Sequence, residues 1–360
     1  MRYISIEYIK EGMTLGKTLY GKNGEVLLRK EAPVLLSYVK ILNHLGYAGI
    51  YINDEFSEDI TVNDIINEEL KMKTINTLKN LMQPNKKSDI KSGFKTIENL
   101  MDNITDEISC NKDIIFNMMD LKVASEYTFY HSVNVCVLSM VVGVALKLKK
   151  KDLALLGTAA LLHDMGKIYT PNEILDKPAK LSYEEFEIIK HHSEDGYLYV
   201  KDNLSINNKV YAGIYQHHER YDGTGYPLGL KGKTISLFGR IIAMADVYDA
   251  LVSDRPYRKG VLPSDAVEFI MGGSGTMFDQ RLVKILATKI APYPIGTCVI
   301  LSNDLIGIVV KNYSSYCLRP SIKIIHDGTK FISPYLMNLG KSNFNITIVG
   351  VADALLHQLT

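Results

Sequence analysis

LALLGTAALLHDMGK, residues 153–167, decides the fold class. From Leu153 to Leu162 the stretch is almost wholly small or apolar, and it ends abruptly on His163-Asp164. Such texture reads as a helix buried on all sides. A carboxylate in that setting is costly unless it is paired, hydrogen-bonded or bound to a metal. The same texture recurs nearby. His131 stands in YHSVNV (130–135), His191-His192 closes one helical segment and His217-His218-Glu219 closes another. Asp246 lies in IIAMADVYDA (241–250), where its neighbours are mostly apolar. Residues 120–292 therefore read as a mainly α, helical bundle, with breakers at Gly157, Pro171, Pro178, Gly196 and the Asp222–Pro227 loop.

The chain has nine histidines, and His131, His163, His191, His192, His217 and His218 all fall in this bundle. Any one of them alone reads more readily as a satisfied core or surface residue. The set, with Asp164 and Asp246 in apolar surroundings, reads as a metal site. Imidazole and carboxylate without thiolate suit iron, manganese or zinc. An aspartate has two oxygens and can bridge two cations, whereas its neighbouring imidazole binds one. The expected sets are His131, His163, Asp164 and Asp246 for one metal, and Asp164, His192, His217 and His218 for the other. Each set leaves open positions for water. Cations sharing a ligand sit about 3.5–4 Å apart, close enough to activate water and hold two phosphate oxygens, so phosphodiester hydrolysis is the natural chemistry. His191 is expected to face solvent, and His44, His326 and His357 carry no functional claim.

Outside the bundle the texture changes. Residues 1–57 read as a small α/β module: Thr18–Tyr20 and Glu25–Leu28 flank a turn at Asn23-Gly24, Pro33–Leu45 is helical, and Gly49–Ile52 is a closing strand. Residues 58–119 read as a helical connector, with apolar periodicity over Thr61–Met82 and Phe94–Met119. Residues 293–360 read as a β-rich extension, with strands at Thr297–Leu301, Ile306–Val310, Ser321–Ile325 and Ile346–Val349. Lys plus Arg is 41 against 40 for Asp plus Glu, so the net charge of +1 provides no general pull toward a nucleic-acid polymer or an anionic membrane. Cys110, Cys136, Cys298 and Cys317 are scattered without a CxxC pair, which fits a reducing compartment. The first residues lack a continuous apolar run, and Val133–Leu146 is interrupted by Asn134 and Ser139. Neither a signal peptide nor a membrane span is expected, and the location expected is cytoplasmic.

HDMGK (163–167) resembles the motif of HD-domain phosphohydrolases, and HHERYDGTGYP (217–227) is similar to the motif that defines the HD-GYP subfamily. HSEDG (192–196), ADVYDA (245–250), DRPYR (254–258) and GTMFD (275–279) support the likeness. The resemblance implies a helical HD fold and hydrolysis of cyclic di-GMP to pGpG, in some members onward to GMP, with iron or manganese. It also implies roles for individual side chains. Asp164 and Lys167 would be catalytic, with Lys167 contacting a phosphate or protonating the leaving oxygen. Arg255 and Arg258 would clamp phosphate or guanine. The loop carrying Asp222, Gly225, Tyr226 and Pro227 would border the substrate, and a diguanylate cyclase could dock on it. The long helices suit a homodimer.

Two positions depart from the pattern. Members with a third metal use a glutamate one turn before the first histidine; here that position is Tyr127, with Glu126 one residue off, so a binuclear site is expected. Ser193 stands where proline is frequent, which bears on loop stiffness and not on ligation. The alternatives are a phosphodiesterase for another cyclic dinucleotide, such as cyclic GMP-AMP, and a sensor that binds cyclic di-GMP without cleaving it.

Overall fold

The computed structural model describes residues 1–21, 25–83, 87–110, 115–116, 127–175, 177, 179–253 and 260–352, without the side chains of 87–89 and 127. Packing sorts the sequence textures into two units: residues 1–64 with 290–352, and Ile65–Phe116 with Thr128–Lys289. Both β-containing ends belong to the first unit and the helices to the second.

In the first unit the chain forms β1 (Arg2–Ser5), β2 (Thr14–Leu15), β3 (Leu19–Tyr20), β4 (Val26–Leu28), α1 (Leu36–His44) and β5 (Gly49–Asn53). The β3–β4 ribbon is antiparallel as expected, and its Asn23-Gly24 turn lies outside the described residues. β5 closes the module in chain order, as expected, and lies in the middle of the antiparallel order β1-β5-β2. Its residues Gly49 to Ile52 are all buried, which suits a strand paired on both edges. Ile4, Leu15, Leu19, Val34, Leu42, Ile50 and Ile52 make the core here.

The same unit holds an antiparallel sheet ordered β10-β6-β7-β8-β9, built from β6 (Cys298–Leu301), β7 (Ile306–Lys311), β8 (Ser321–His326), β9 (Phe331–Asn338) and β10 (Ile348–Val351). β9 was not anticipated because Pro334 interrupts its sequence. Proline is tolerated there because β9 is an edge strand and its pairing shifts register between Ile324 and His326.

The second unit contains α2 (Glu68–Met82), α3 (Lys87–Cys110), α4 (Tyr127–Ala145), α5 (Lys150–Leu161), α6 (Asn172–Leu175), α7 (Tyr183–Lys190), α8 (His192–Asn203), α9 (Asn208–Gln216), α10 (Leu237–Val252), α11 (Pro263–Gly272) and α12 (Gln280–Lys289). α2 begins later than its apolar periodicity suggests because Asn67 caps it, accepting from the Glu69 amide at 2.7 Å. α3 begins earlier than expected, since Ile90 extends the buried stripe of Phe94, Ile97, Met101, Ile104 and Ile108. Among the described residues, one helix is long and apolar enough to cross a membrane, Thr128–Ala145, and 78% of it is buried inside the protein. Its Val133, Leu138, Met140 and Val141 are core residues, each worth about 1.5–3 kcal/mol on burial. α9 packs against α5, α8 and α10, an arrangement that brings several helix ends to one place.

Candidate metal centre

The last four carbonyls of a helix have no partner within it. Three helices here lend one of those carbonyls to a histidine. His163 Nδ1 lies 2.7 Å from Ala160 O at the end of α5, His192 Nδ1 is 2.5 Å from Ile189 O at the end of α7, and His217 Nδ1 is 2.6 Å from Ile214 O at the end of α9. A carbonyl can only accept, so each Nδ1 carries the proton and each Nε2 is left as a bare lone pair. All three side chains are buried. The negative ends of the three helix dipoles lie beside them, which favours a cation.

Those lone pairs converge. His192 Nε2 is 3.1 Å from His217 Nε2 and 3.1 Å from His218 Nε2. Two Nε2 lone pairs, those of His192 and His217, cannot hydrogen-bond to each other, so a cation is the partner that reconciles them. Burial pushes the His192 imidazole down to about 4 against the pull of the Asp164 carboxylate, and burial and then the neighbouring His192 push that of His218 down to about 3. His217 is held well below the ordinary imidazole range for the same reasons. Neutral imidazoles are the ligating form.

A second cluster is acidic. His131 on α4 is buried between carboxylates, its Nδ1 2.7 Å from Asp249 Oδ2 and its Nε2 3.1 Å from Asp246 Oδ1. Burial would depress this imidazole, but the hydrogen bonds to Asp246 and Asp249 outweigh it and raise it to about 9. Asp246 is correspondingly held far below the usual carboxylate range: burial would raise it, and the hydrogen bond and charge of His131 prevail. His163 Nε2 lies 3.3 Å from Asp164 Oδ2 yet is buried without a hydrogen bond, a lone pair facing another acceptor.

Asp164 joins the clusters. Its Oδ2 faces His163 and lies 3.7 Å from His131 Nε2, while its Oδ1 lies 3.5 Å from His192 Nε2. Burial opposes its charge, and the surrounding histidines and Lys167 outweigh burial to keep it ionised. Lys167 Nζ is 2.6 Å from Asp164 Oδ2 and remains partly exposed. The turn carrying Asp164 reaches α8 by close backbone approach: a Cβ on Gly166 would stand 2.0 Å from His192 O. Only glycine fits there.

Two ligand groups therefore exist in the described residues, His131-His163-Asp164 and His192-His217-His218, each with donor atoms within 4.8 Å of one another. The orphaned His163 nitrogen and the facing lone pairs of His192 and His217 fit a divalent metal.

Residues 110–282 match the HD-domain family. The chain is 34% identical over 257 residues to a cyclic di-GMP phosphodiesterase of Pseudomonas aeruginosa, covering 71% of this chain and 62% of that protein. The chain carries an HD domain.

A 3'3'-cGAMP-specific phosphodiesterase of Vibrio cholerae is 34% identical over 211 residues, or 59% of this chain and 43% of that one. The chain spans less than two thirds of the length of these two curated relatives. Among solved structures, an HDG"Y"P protein of Bdellovibrio bacteriovorus shares the fold, with a TM-score of 0.51 at 18% identity over 79% of this chain and 97% of that one. HD-domain phosphohydrolases are metal-dependent, in keeping with the two clusters.

The GYP loop closes over the histidine trio. Tyr226 stacks on His218 with ring centres 4.7 Å apart, and the Tyr226-Pro227 peptide is cis. Burial, then the Asp246 and Asp164 carboxylates, pushes the Tyr226 hydroxyl up. A Cβ on Gly225 would stand 2.2 Å from the Arg220 nitrogen, so the loop can fold back on itself only with glycine there. Asp222 shapes the turn, its Oδ1 accepting from the Thr224 amide at 2.9 Å and hydroxyl at 2.7 Å. The expected contacts of Arg255 and Arg258 fall outside the described residues, as do Glu126 and the side chain of Tyr127. His191 and His44 face solvent.

Three participants were not singled out from sequence. Asp249 fixes the His131 ring, and Asn134 donates to its other oxygen at 3.1 Å. Their signals were the spacing of three from Asp246 to Asp249 on one helix face and a polar residue inside an apolar helix. Buried Glu219 anchors the GYP loop, accepting from the Leu228 amide at 2.7 Å and the Leu230 amide at 2.9 Å.

Proposed function

We propose that this chain is a metal-dependent phosphodiesterase that hydrolyses cyclic di-GMP to pGpG at a binuclear iron or manganese site. The observation that carries the reading is the division of Asp164, one oxygen toward His131 and His163 and the other toward His192. His131, His163, Asp164 and Asp246 would hold one metal, and Asp164, His192, His217 and His218 the other. Bound metal supplies Lewis-acid activation of water and of the phosphate.

The protein's own groups do the rest. The helix-end carbonyls of Ala160, Ile189 and Ile214 keep three imidazoles in the ligating tautomer. Lys167, held by Asp164 and partly exposed, reaches a phosphate oxygen or gives its proton to the ribose oxygen as the P–O bond breaks. Arg255 and Arg258 clamp phosphate or guanine in the same reading. Asp222 builds the loop, while Gly225, Tyr226 and Pro227 border the substrate. A homodimer and a diguanylate cyclase bound through the loop remain proposals drawn from sequence, the latter using the exposed rim at Thr224 and Leu228.

The similarity to a cGAMP-specific relative favours cyclic GMP-AMP as the second reading of the substrate. Side-by-side turnover of both cyclic dinucleotides by metal-loaded protein, with products separated chromatographically, tests the choice. Faster turnover of cyclic di-GMP is expected; a preference for the mixed dinucleotide would overturn it.

A further inference from the structure

α7 is a surface helix with no fully buried residue, yet its start is firmly held. Ser182 and Glu185 form a reciprocal capping box, and Lys177 reaches Glu185 at 2.6 Å. What this pinned helix presents is aromatic. Phe186 is 43% exposed, and its ring lies edge-to-face with Tyr226 at 6.5 Å. Tyr226 in turn stacks on His218 at 4.7 Å. The rings thus touch in succession, from His218 of the candidate metal centre to the partly buried GYP tyrosine to an exposed phenylalanine. Lys190 Nζ lies over the two outer rings, 5.0 Å from the Phe186 centre and 5.7 Å from that of Tyr226, while pairing with Glu187 at 2.6 Å.

This geometry matches the shape of a nucleotide held by its phosphate. With the phosphate at the metals, a base one ribose away falls within reach of the succession of rings that ends at Phe186. A guanine offers an apolar face and an acceptor edge of N7 and O6. Phe186 offers the complementary ring face, and Lys190 a cation next to it. An exposed phenylalanine on a surface helix is ordinary by itself. One joined to the candidate metal centre through Tyr226, on a helix pinned at its start and next to a cation, is suited to recognition.

We propose that Phe186 stacks against a purine base of the cyclic dinucleotide, with Lys190 facing the acceptor edge of that base. The inference rests on the cyclic-dinucleotide reading above. Phe186 is then a specificity residue on a helix outside the HD and GYP motifs.

The test compares Phe186→Leu, which keeps an apolar side chain, with Phe186→Tyr, which keeps the ring, in metal-loaded full-length protein. Steady-state kinetics are read on whichever cyclic dinucleotide the wild type cleaves. KM is expected to rise about tenfold in Phe186→Leu, the loss of one base–aromatic stack, and to return close to wild type in Phe186→Tyr, with kcat within about twofold throughout. Equal KM values in the two variants, with wild-type turnover intact, would overturn the Phe186 assignment and leave the phosphodiesterase reading standing. A wild type that cleaves no cyclic dinucleotide would overturn both.

Discussion

The two halves of the centre solve the same electrostatic problem differently. Around His131 the polar groups satisfy one another without metal: one imidazole sits between Asp246 and Asp249, and a proton stands where a cation would. Between His192 and His217 no such internal solution exists, because each gives its Nδ1 proton to a backbone carbonyl and turns a bare Nε2 toward the other, 3.1 Å away. In the acidic half a proton fills the place at His131, while His163 Nε2 stays without a hydrogen bond. The imidazole half holds a pair of facing lone pairs that a cation would reconcile. Metal dependence of the protein should therefore be strongest in the imidazole half.

Removing one member of that half is expected to have the larger effect. His217→Ala should lose one metal equivalent and slow turnover by more than about 100-fold, beyond the cost of a supporting contact. Elemental analysis showing full metal content in this variant would break the comparison.

In the acidic half, Asp249→Asn keeps the shape around His131 and removes the charge that polarises it. Metal affinity or activity should drop about 10–100-fold and recover when metal is added in excess. A loss that excess metal does not restore would mean that Asp249 serves packing alone.

The smallest effect concerns stability of chelator-treated protein. Unfolded histidine titrates near 6.5, whereas folded His192 lies at about 4 and His218 at about 3. The unfolded chain then binds more protons below pH 6.5, so stability falls as pH drops from 6.5 toward 4. His131 behaves oppositely: its pKa is raised to about 9, and its contribution is lost as pH rises from 6.5 to 9. Calorimetric Tm should peak near pH 6.5 and decline on both sides; a Tm that keeps rising above pH 7 would contradict the role given to His131.

The contrast also marks what could be read from residues alone. The ligand types were legible because a carboxylate or imidazole inside an apolar helix is costly unless a partner or a metal holds it, as at Asp164 and Asp246. What holds them was not legible. The carbonyls of Ala160, Ile189 and Ile214 are backbone atoms and leave no mark on residue identity. Asp249 and Asn134 do leave a mark, but their partner His131 is far from Asp249 in sequence and near it only in the folded bundle. Helical periodicity revealed most of the bundle, while β9 was hidden by Pro334 and the start of α2 was set by Asn67.

The central claim is that Asp164 couples both halves into one hydrolytic site. Its most direct test is anaerobic purification of wild type and Asp164→Ala, with elemental analysis followed by cyclic di-GMP turnover. The account predicts two iron or manganese ions per wild-type chain, and loss of both bound metal and turnover in the variant. Metal-free wild type, or turnover indifferent to Asp164, would contradict it and point to a protein that binds the messenger without cleaving it.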